Sequence, residues 1–304
     1  MIELPSRTRR VAGTRLLDLC RERGIASVVD PFMGVPQHLA LLKRHGIAVH
    51  GGDLLEWFVR AGEGIVANDF TMLRDPEVAE IVEMLPGHIY PSDLFRAWEG
   101  VFFSEEQCRY LGVWHANVHA LRSDGQTGLA VLGLWHVLCY WLHKAREPDE
   151  MIDIPPSELA WHYLRETQSR VCGNGRRNTV RRADFATTLA AVRADAVFLA
   201  PPGRGAARRV DPRIWMMEAW WSGDPYLNVE RLYRDTIFGA RSNDDAAYDR
   251  ALGEVLAAAA PAPFTIVQTT RRDAQRFERL LREHRGEVDV IAPEPDEIYL
   301  ISKR

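Results

Sequence analysis

A turn and an acidic residue stand where a polar ligand could be held. Asp30 opens the turn DPFMG after a short apolar run, and Asp53 closes the next such run, nineteen residues after Gly34. A strand-to-helix turn of this kind presents backbone N–H groups and a helix dipole to a polar ligand. An acid at that spacing accepts hydrogen bonds from a ribose diol, and capping of the following segment LLEWFVRAG is its alternative role. A second such place is DAVFLAPPGRG, Asp195 to Gly205, where an apolar run is broken by Pro201, Pro202 and Gly203. At the carboxyl edge of an α/β sheet, a break like this borders the usual ligand crevice.

Arginines form a third group. The stretch RVCGNGRRNTVRR carries Arg170, Arg176, Arg177, Arg181 and Arg182, and Arg204, Arg208, Arg209 and Arg213 follow the Pro-Pro-Gly break. With Asn174, Asn178 and Thr179 they suit contacts to phosphates and base edges, and a solvated, flexible basic loop is the alternative. The fourth group is His115 and His119, four apart, with His136, Cys139 and His143 at i, i+3 and i+7. Each set shares a helix face and offers nitrogen and sulfur ligands to zinc. Trp114, Trp135, Tyr140 and Trp141 alongside them point instead to histidines packed in an aromatic core.

The elements that must hold these residues fall into three blocks. In the first, TRLLDLCRERG reads as a helix stopped by Gly24, IASVVDPF as a strand, PQHLALLKRHG as a helix stopped by Gly46, and IAVHGGD as a strand. Such a βαβ unit with short links makes neighbouring parallel strands. The middle block is helical. A helix capped by Ser104 runs toward Gly125, a second covers TGLAVLGLWHVLCYWLHKARE, and a third covers PPSELAWHYLRETQSRV. The last block returns to the α/β rhythm, with strands at DAVFLAPP and PFTIVQTT and helices at PRIWMMEAWWSGDP, NDDAAYDRALGEVLAAAA and RRDAQRFERLLREHRG. EVDVIAP and EIYLISKR read as a closing antiparallel pair. The expectation is an α/β domain of residues 1–85 and 191–304 interrupted by a helical insertion at 86–190.

Composition narrows the class. The 304 residues are 46% hydrophobic and 26% charged, with a net charge of -4. That is ordinary for a globular protein and gives no overall attraction to nucleic acid, so such binding must be local. Cys20, Cys108, Cys139 and Cys172 are widely spaced, as expected of reduced thiols in a cytoplasmic protein. The start, MIELPSRTRR, has no apolar signal segment. Gly128 to Ala145 is apolar but carries two histidines and reads as a buried helix, so no membrane partner is expected.

The order of these parts resembles adenine-specific DNA methyltransferases of the DNA adenine methylase type. RRVAGTRLL, with Gly13, Thr14 and Arg15, looks like the family's first motif beside the methyl donor. VVDPFMG resembles its cofactor motif, and FFSEEQCRYL the helix start of its recognition region. WMMEAWWSGDP, with Glu218 and Pro225, resembles the segment after catalysis. The resemblance implies a Rossmann-like methyltransferase fold with a mainly parallel twisted sheet. It implies S-adenosylmethionine as cofactor, held by Gly13, Arg15, Asp30, Pro31, Phe32, Gly34 and Asp53, and DNA as partner. The family's catalytic Asp-Pro-Pro-Tyr corresponds to Ala200, Pro201, Pro202 and Gly203, and Pro36 replaces a glycine of the cofactor motif.

Three readings follow. The first is a DNA-binding methyltransferase homologue with weakened or lost catalysis, with a protein partner supplying or receiving activity. The second is an active adenine-N6 methyltransferase in which Asp195, Asp211 or another acid supplies the acceptor that Ala200 lacks. The third, of another class, is a metal-binding helical module on an α/β scaffold.

Overall fold

The computed structural model of the chain describes residues 14–147, 152–204, 210–228, 236–239, 244–294 and 297–304; Gly13, Arg208 and Arg209 lie outside them. In chain order the elements begin with α1 (Thr14–Glu22), β1 (Ser27–Asp30), α2 (Gln37–Arg44), β2 (Ala48–Asp53) and α3 (Glu56–Gly62). Then come α4 (Asp75–Val82), α5 (Glu105–His119), α6 (Asp124–Arg146), α7 (Pro156–Gln168), β3 (Thr179–Arg182), α8 (Phe185–Ala190) and β4 (Ala196–Leu199). The series closes with α9 (Pro212–Ser222), α10 (Asp245–Ala259), β5 (Phe264–Thr269), α11 (Ala274–Arg285), β6 (Asp289–Glu294) and β7 (Glu297–Lys303). Two compact units result. One comprises Ala12–Val59, Gly173–Val210 and Asn228–Arg304, and the other, in its described residues, Arg60–Cys172 and Asp211–Leu227.

The first unit is built on a seven-stranded sheet of order β3-β2-β1-β4-β5-β7-β6. β3, β2, β1, β4 and β5 run parallel, and β7 is antiparallel to both its neighbours. The closing antiparallel pair is present, but β7 lies inside it, against β5. Helices cover both faces of β2, and its glycines show why they come so close. A Cβ on Gly51 would stand 3.0 Å from Leu39 of α2, and one on Gly52 would stand 2.2 Å from Thr188 of α8. Successive strand residues face opposite ways, so the two glycines admit one helix on each side. This doubly wound, mainly parallel arrangement is a Rossmann-like fold.

The unit's core follows from periodicity. Phe277, Leu280 and Leu281 of α11 fall at i, i+3 and i+4 and pack with Tyr248, Leu252 and Val255 of α10 and with Val197, Val267 and Leu300 of the sheet. Burying each such side chain contributes about 1.5–3 kcal/mol.

In the second unit, the 23-residue α6 is buried along most of its length, as its apolar run required. Gly128 allows that burial: a Cβ there would lie 2.3 Å from the backbone nitrogen of Gly64. Aromatic rings fill the space around the helices. Trp114 and Trp141 stack at 5.5 Å, and Trp98 meets Phe103 at 5.9 Å and Trp215 at 5.8 Å. Among the described residues no helix is long and apolar enough to cross a membrane. One helix boundary differs from the sequence reading. Ser104 caps α5 as expected, but α5 ends at His119 and Gly125 falls in the first turn of α6, because Ser123 accepts a hydrogen bond from the Gln126 N–H and caps a new helix there.

Candidate functional site

The strand order reverses between β1 and β4, and the residues expected to do chemistry gather there. The turn after β1 spans 31–36, and the loop after β4 begins at Ala200, both at the carboxyl ends of paired parallel strands. A crevice at such a switch point is where open α/β sheets bind ligands.

Asp30, 2% exposed, accepts a hydrogen bond from Phe32 N–H at 2.9 Å and so starts the turn. Asp53, at the end of β2, accepts from Gly34 N–H at 2.9 Å through Oδ2 and from Leu55 N–H at 3.0 Å through Oδ1. Asp53 therefore shapes the chain ahead of α3 and also ties the end of β2 to the turn after β1. A carboxylate has about four acceptor positions, so part of its accepting capacity remains for a ligand's hydroxyls. Burial pushes Asp30 up to about 7, with the Asp53 charge adding to it, and pushes Asp53 up to about 6 against three backbone hydrogen bonds. The pair thus titrates close to neutrality.

The turn tolerates what the sequence made suspect. Gly34 has φ +53°, a left-handed conformation that favours glycine. Pro36 is the residue before α2, where its missing N–H costs no helical hydrogen bond, and its carbonyl still accepts from Ala40 N–H at 3.0 Å. Phe32 packs with Phe185 at 6.2 Å and Phe238 at 5.6 Å, and Pro31 is buried beside it. Arg15 is elsewhere engaged, in an ion pair with Glu22 at 2.9 Å.

At the loop after β4, the Tyr248 hydroxyl donates to the Pro202 carbonyl at 3.0 Å. Sequence reading missed Tyr248, because on an amphipathic helix it is indistinguishable from a core residue. Gly203 has nothing within 4 Å of where a Cβ would stand. The two acids named as substitute acceptors have other partners. Asp195 precedes β4, at the end of the strand away from Ala200, and accepts from Ala26 N–H at 2.9 Å; the four residues of β4 lie between it and Ala200, roughly 16 Å in all. Asp211 caps α9 in the second unit and is paired with Arg213.

The arginines sort into two groups. Arg182 pairs with Glu56 at 2.6 Å, Arg204 with Asp245 at 2.8 Å, and Arg170, in the second unit, with Glu166 at 3.5 Å. Arg176, Arg177 and Arg181 enter no ion pair formed among the described residues. The stretch is also no flexible loop. It contains β3, and its asparagines latch the preceding turn to β2: Asn174 Nδ2 donates to Ile47 O at 2.9 Å, and Asn178 Oδ1 accepts from Val49 N–H at 3.1 Å. Those side chains are spent on the turn and are not available to base edges, a correction to their expected role.

The histidine and cysteine set does not assemble. Among the described residues no three His, Cys, Asp or Glu side chains come together as a metal site. His115 and His119 lie with rings 4.1 Å apart, and His119 stacks on Trp221 at 4.3 Å. His136 stacks on Tyr163 at 5.5 Å, and burial pushes its pKa down to about 3. The aromatic-core alternative describes His115, His119 and His136, whereas His143 lies 3.8 Å from Glu147. The four cysteines are free, and burial pushes the Cys20 and Cys139 thiols up to about 12, making them poor nucleophiles. Glu218 is buried on α9, and the Pro225 carbonyl accepts from the Trp98 indole at 3.1 Å.

No family model matches the chain, and no curated protein does. Among solved structures, the chain is similar to the rRNA methyltransferase aviRa from Streptomyces viridochromogenes, with 15% identity and a TM-score of 0.31 over 95% of this chain and 84% of that one.

Proposed function

We propose that this protein is a methyltransferase-like, nucleic-acid-binding protein that holds S-adenosylmethionine at the β1/β4 switch point and has weakened or lost adenine-N6 transfer. The observation that carries the reading is Asp53, bound to the Gly34 N–H at 2.9 Å with acceptor positions to spare. The residues fit the cofactor: Asp53 for the ribose hydroxyls, Asp30 and the 31–36 turn beside it. A Rossmann-like sheet closed by a reversed strand is the arrangement expected of the methyltransferase fold, and the motif order supports the same family. When bound, S-adenosylmethionine supplies an electrophilic methyl group.

What weakens transfer is the loop. In the family it resembles, an acidic side chain and a proline carbonyl accept from the target amine while an aromatic ring stacks on the flipped base. The Ala200 side chain cannot accept and Gly203 cannot stack. Losing a key polar stabiliser costs about 3–4 kcal/mol of barrier, and losing a base stack about 1–3 kcal/mol of binding. Together these lower the rate by a factor on the order of 10⁴ or more.

DNA is the partner this reading favours, through the uncompensated arginines. The test is calorimetric titration with S-adenosylmethionine, repeated with Asp53→Ala. Micromolar binding that the variant loses supports the reading, and no binding by the unaltered protein overturns it.

A further inference from the structure

Among the described residues β3 is an outer strand of the sheet, paired with β2, and it carries the end of the basic stretch. Its side chains alternate between faces. Arg182 turns to Glu56 and to the Leu54 carbonyl, at 2.6 and 3.2 Å, and is neutralised. Arg181 lies on the other face with Thr179, whose hydroxyl meets His50 Nδ1 at 2.8 Å. Burial, and after it the charges of Arg181 and Arg177, hold the pKa of His50 below the ordinary histidine value. Arg181 on the strand and Arg177 on the turn before it enter no ion pair among the described residues.

The turn that leads into the strand is fixed in advance. Asn174 bonds the Ile47 carbonyl, the Arg176 N–H and the Asn178 side chain, and Asn178 Nδ2 also donates to the Arg176 carbonyl at 3.2 Å. Gly175 at φ +68° allows the reversal. Arg176 and Arg177 project from a latched turn, so little ordering remains to be paid for on binding. The side chains there that are able to distinguish bases, Asn174, Asn178 and Thr179, are used internally.

We infer that Arg176, Arg177 and Arg181 form a phosphodiester-binding edge that grips a nucleic-acid backbone without reading its sequence. The inference rests on the nucleic-acid reading above and assigns it to one strand and one turn. Phosphate contacts of this kind position a nucleic acid and carry no base information.

Salt dependence tests it. Affinity for a duplex DNA and for an RNA hairpin is measured from about 50 to 200 mM salt, where each phosphate contact contributes about 0.9 to the log–log slope on duplex DNA. The double variant Arg177→Gln/Arg181→Gln lowers the slope on the preferred nucleic acid by about 2, equally for two unrelated sequences. Arg177→Lys/Arg181→Lys keeps it, and the paired Arg182→Gln changes it less. The probe bound more tightly identifies the source of the backbone. An unchanged slope in the glutamine variant overturns the inference and leaves nucleic-acid binding standing; no binding to either probe by the unaltered protein overturns both.

Discussion

The carboxylate of Asp53 and the backbone N–H of Gly34, nineteen residues apart, are joined at 2.9 Å. The bond fastens the end of β2 to the turn that follows β1, so the acid suited to a ribose also holds the loop that would border the rest of the ligand. Replacing Asp53 with alanine leaves the Gly34 and Leu55 N–H groups without their partner. We expect Asp53→Ala to lower unfolding free energy by about 1–3 kcal/mol in urea, and Asp53→Asn, which keeps one acceptor, to lower it less.

The two buried carboxyls also set a pH dependence. Asp30 rises from 3.8 to about 7 and Asp53 to about 6 on folding. The folded chain therefore binds these protons more tightly than the unfolded chain, and their contribution to stability falls as pH rises. Asp30→Asn keeps an acceptor for Phe32 but does not titrate. The stability of the unaltered protein relative to this variant should decline between about pH 4 and 7 and level off above about pH 8. A flat difference would show that Asp30 titrates normally.

Catalysis should be recoverable if only the loop was lost. The open space at Gly203 accommodates a side chain, and its backbone is not left-handed. Ala200→Asp/Gly203→Tyr is expected to raise methyl transfer from labelled S-adenosylmethionine to adenine in mixed-sequence DNA by a factor on the order of 10³ or more. Tyr248→Phe, which frees the Pro202 carbonyl, should cost about 0.5–1.5 kcal/mol of stability. No gain in the double variant would place the defect outside this loop.

Packing in the helical unit gives an independent check. Gly128→Ala puts a methyl group about 2.2–2.3 Å from the backbone of Arg60 and Gly64, and overpacking of this kind costs about 1–3 kcal/mol or more. Gly203→Ala meets nothing and should be nearly neutral. Thermal unfolding of the two variants side by side distinguishes them.

Much of the site was legible because it depends on local pattern. Asp30, Gly34 and Asp53 sit at strand ends and turns that alternation and glycine punctuation reveal. Ala200 to Gly203 follow a strand read from its apolar run. What was hidden depends on contacts distant in sequence. Tyr248 reaches Pro202 across 46 positions, and the pairing of Arg182 with Glu56 crosses 126. Spacing therefore grouped nine arginines, and the fold divides the seven described ones into compensated and uncompensated. β3 was hidden for a related reason: four residues, with arginine at two of them, form a strand only because β2 supplies the partner. The five histidine and cysteine positions failed for the opposite reason, since helical spacing puts residues on one face without saying whether that face meets a metal or an indole.

Amide hydrogen exchange with and without S-adenosylhomocysteine tests the central claim most directly, because it locates the ligand as well as detecting it. The ligand is expected to slow exchange in residues 32–35 and 53–55, extending to the backbone amides of Ala200, Gly203 and Arg204, with Asp53→Ala abolishing the effect. Unchanged exchange in these segments at saturating ligand, or protection confined to other parts of the chain, would contradict it.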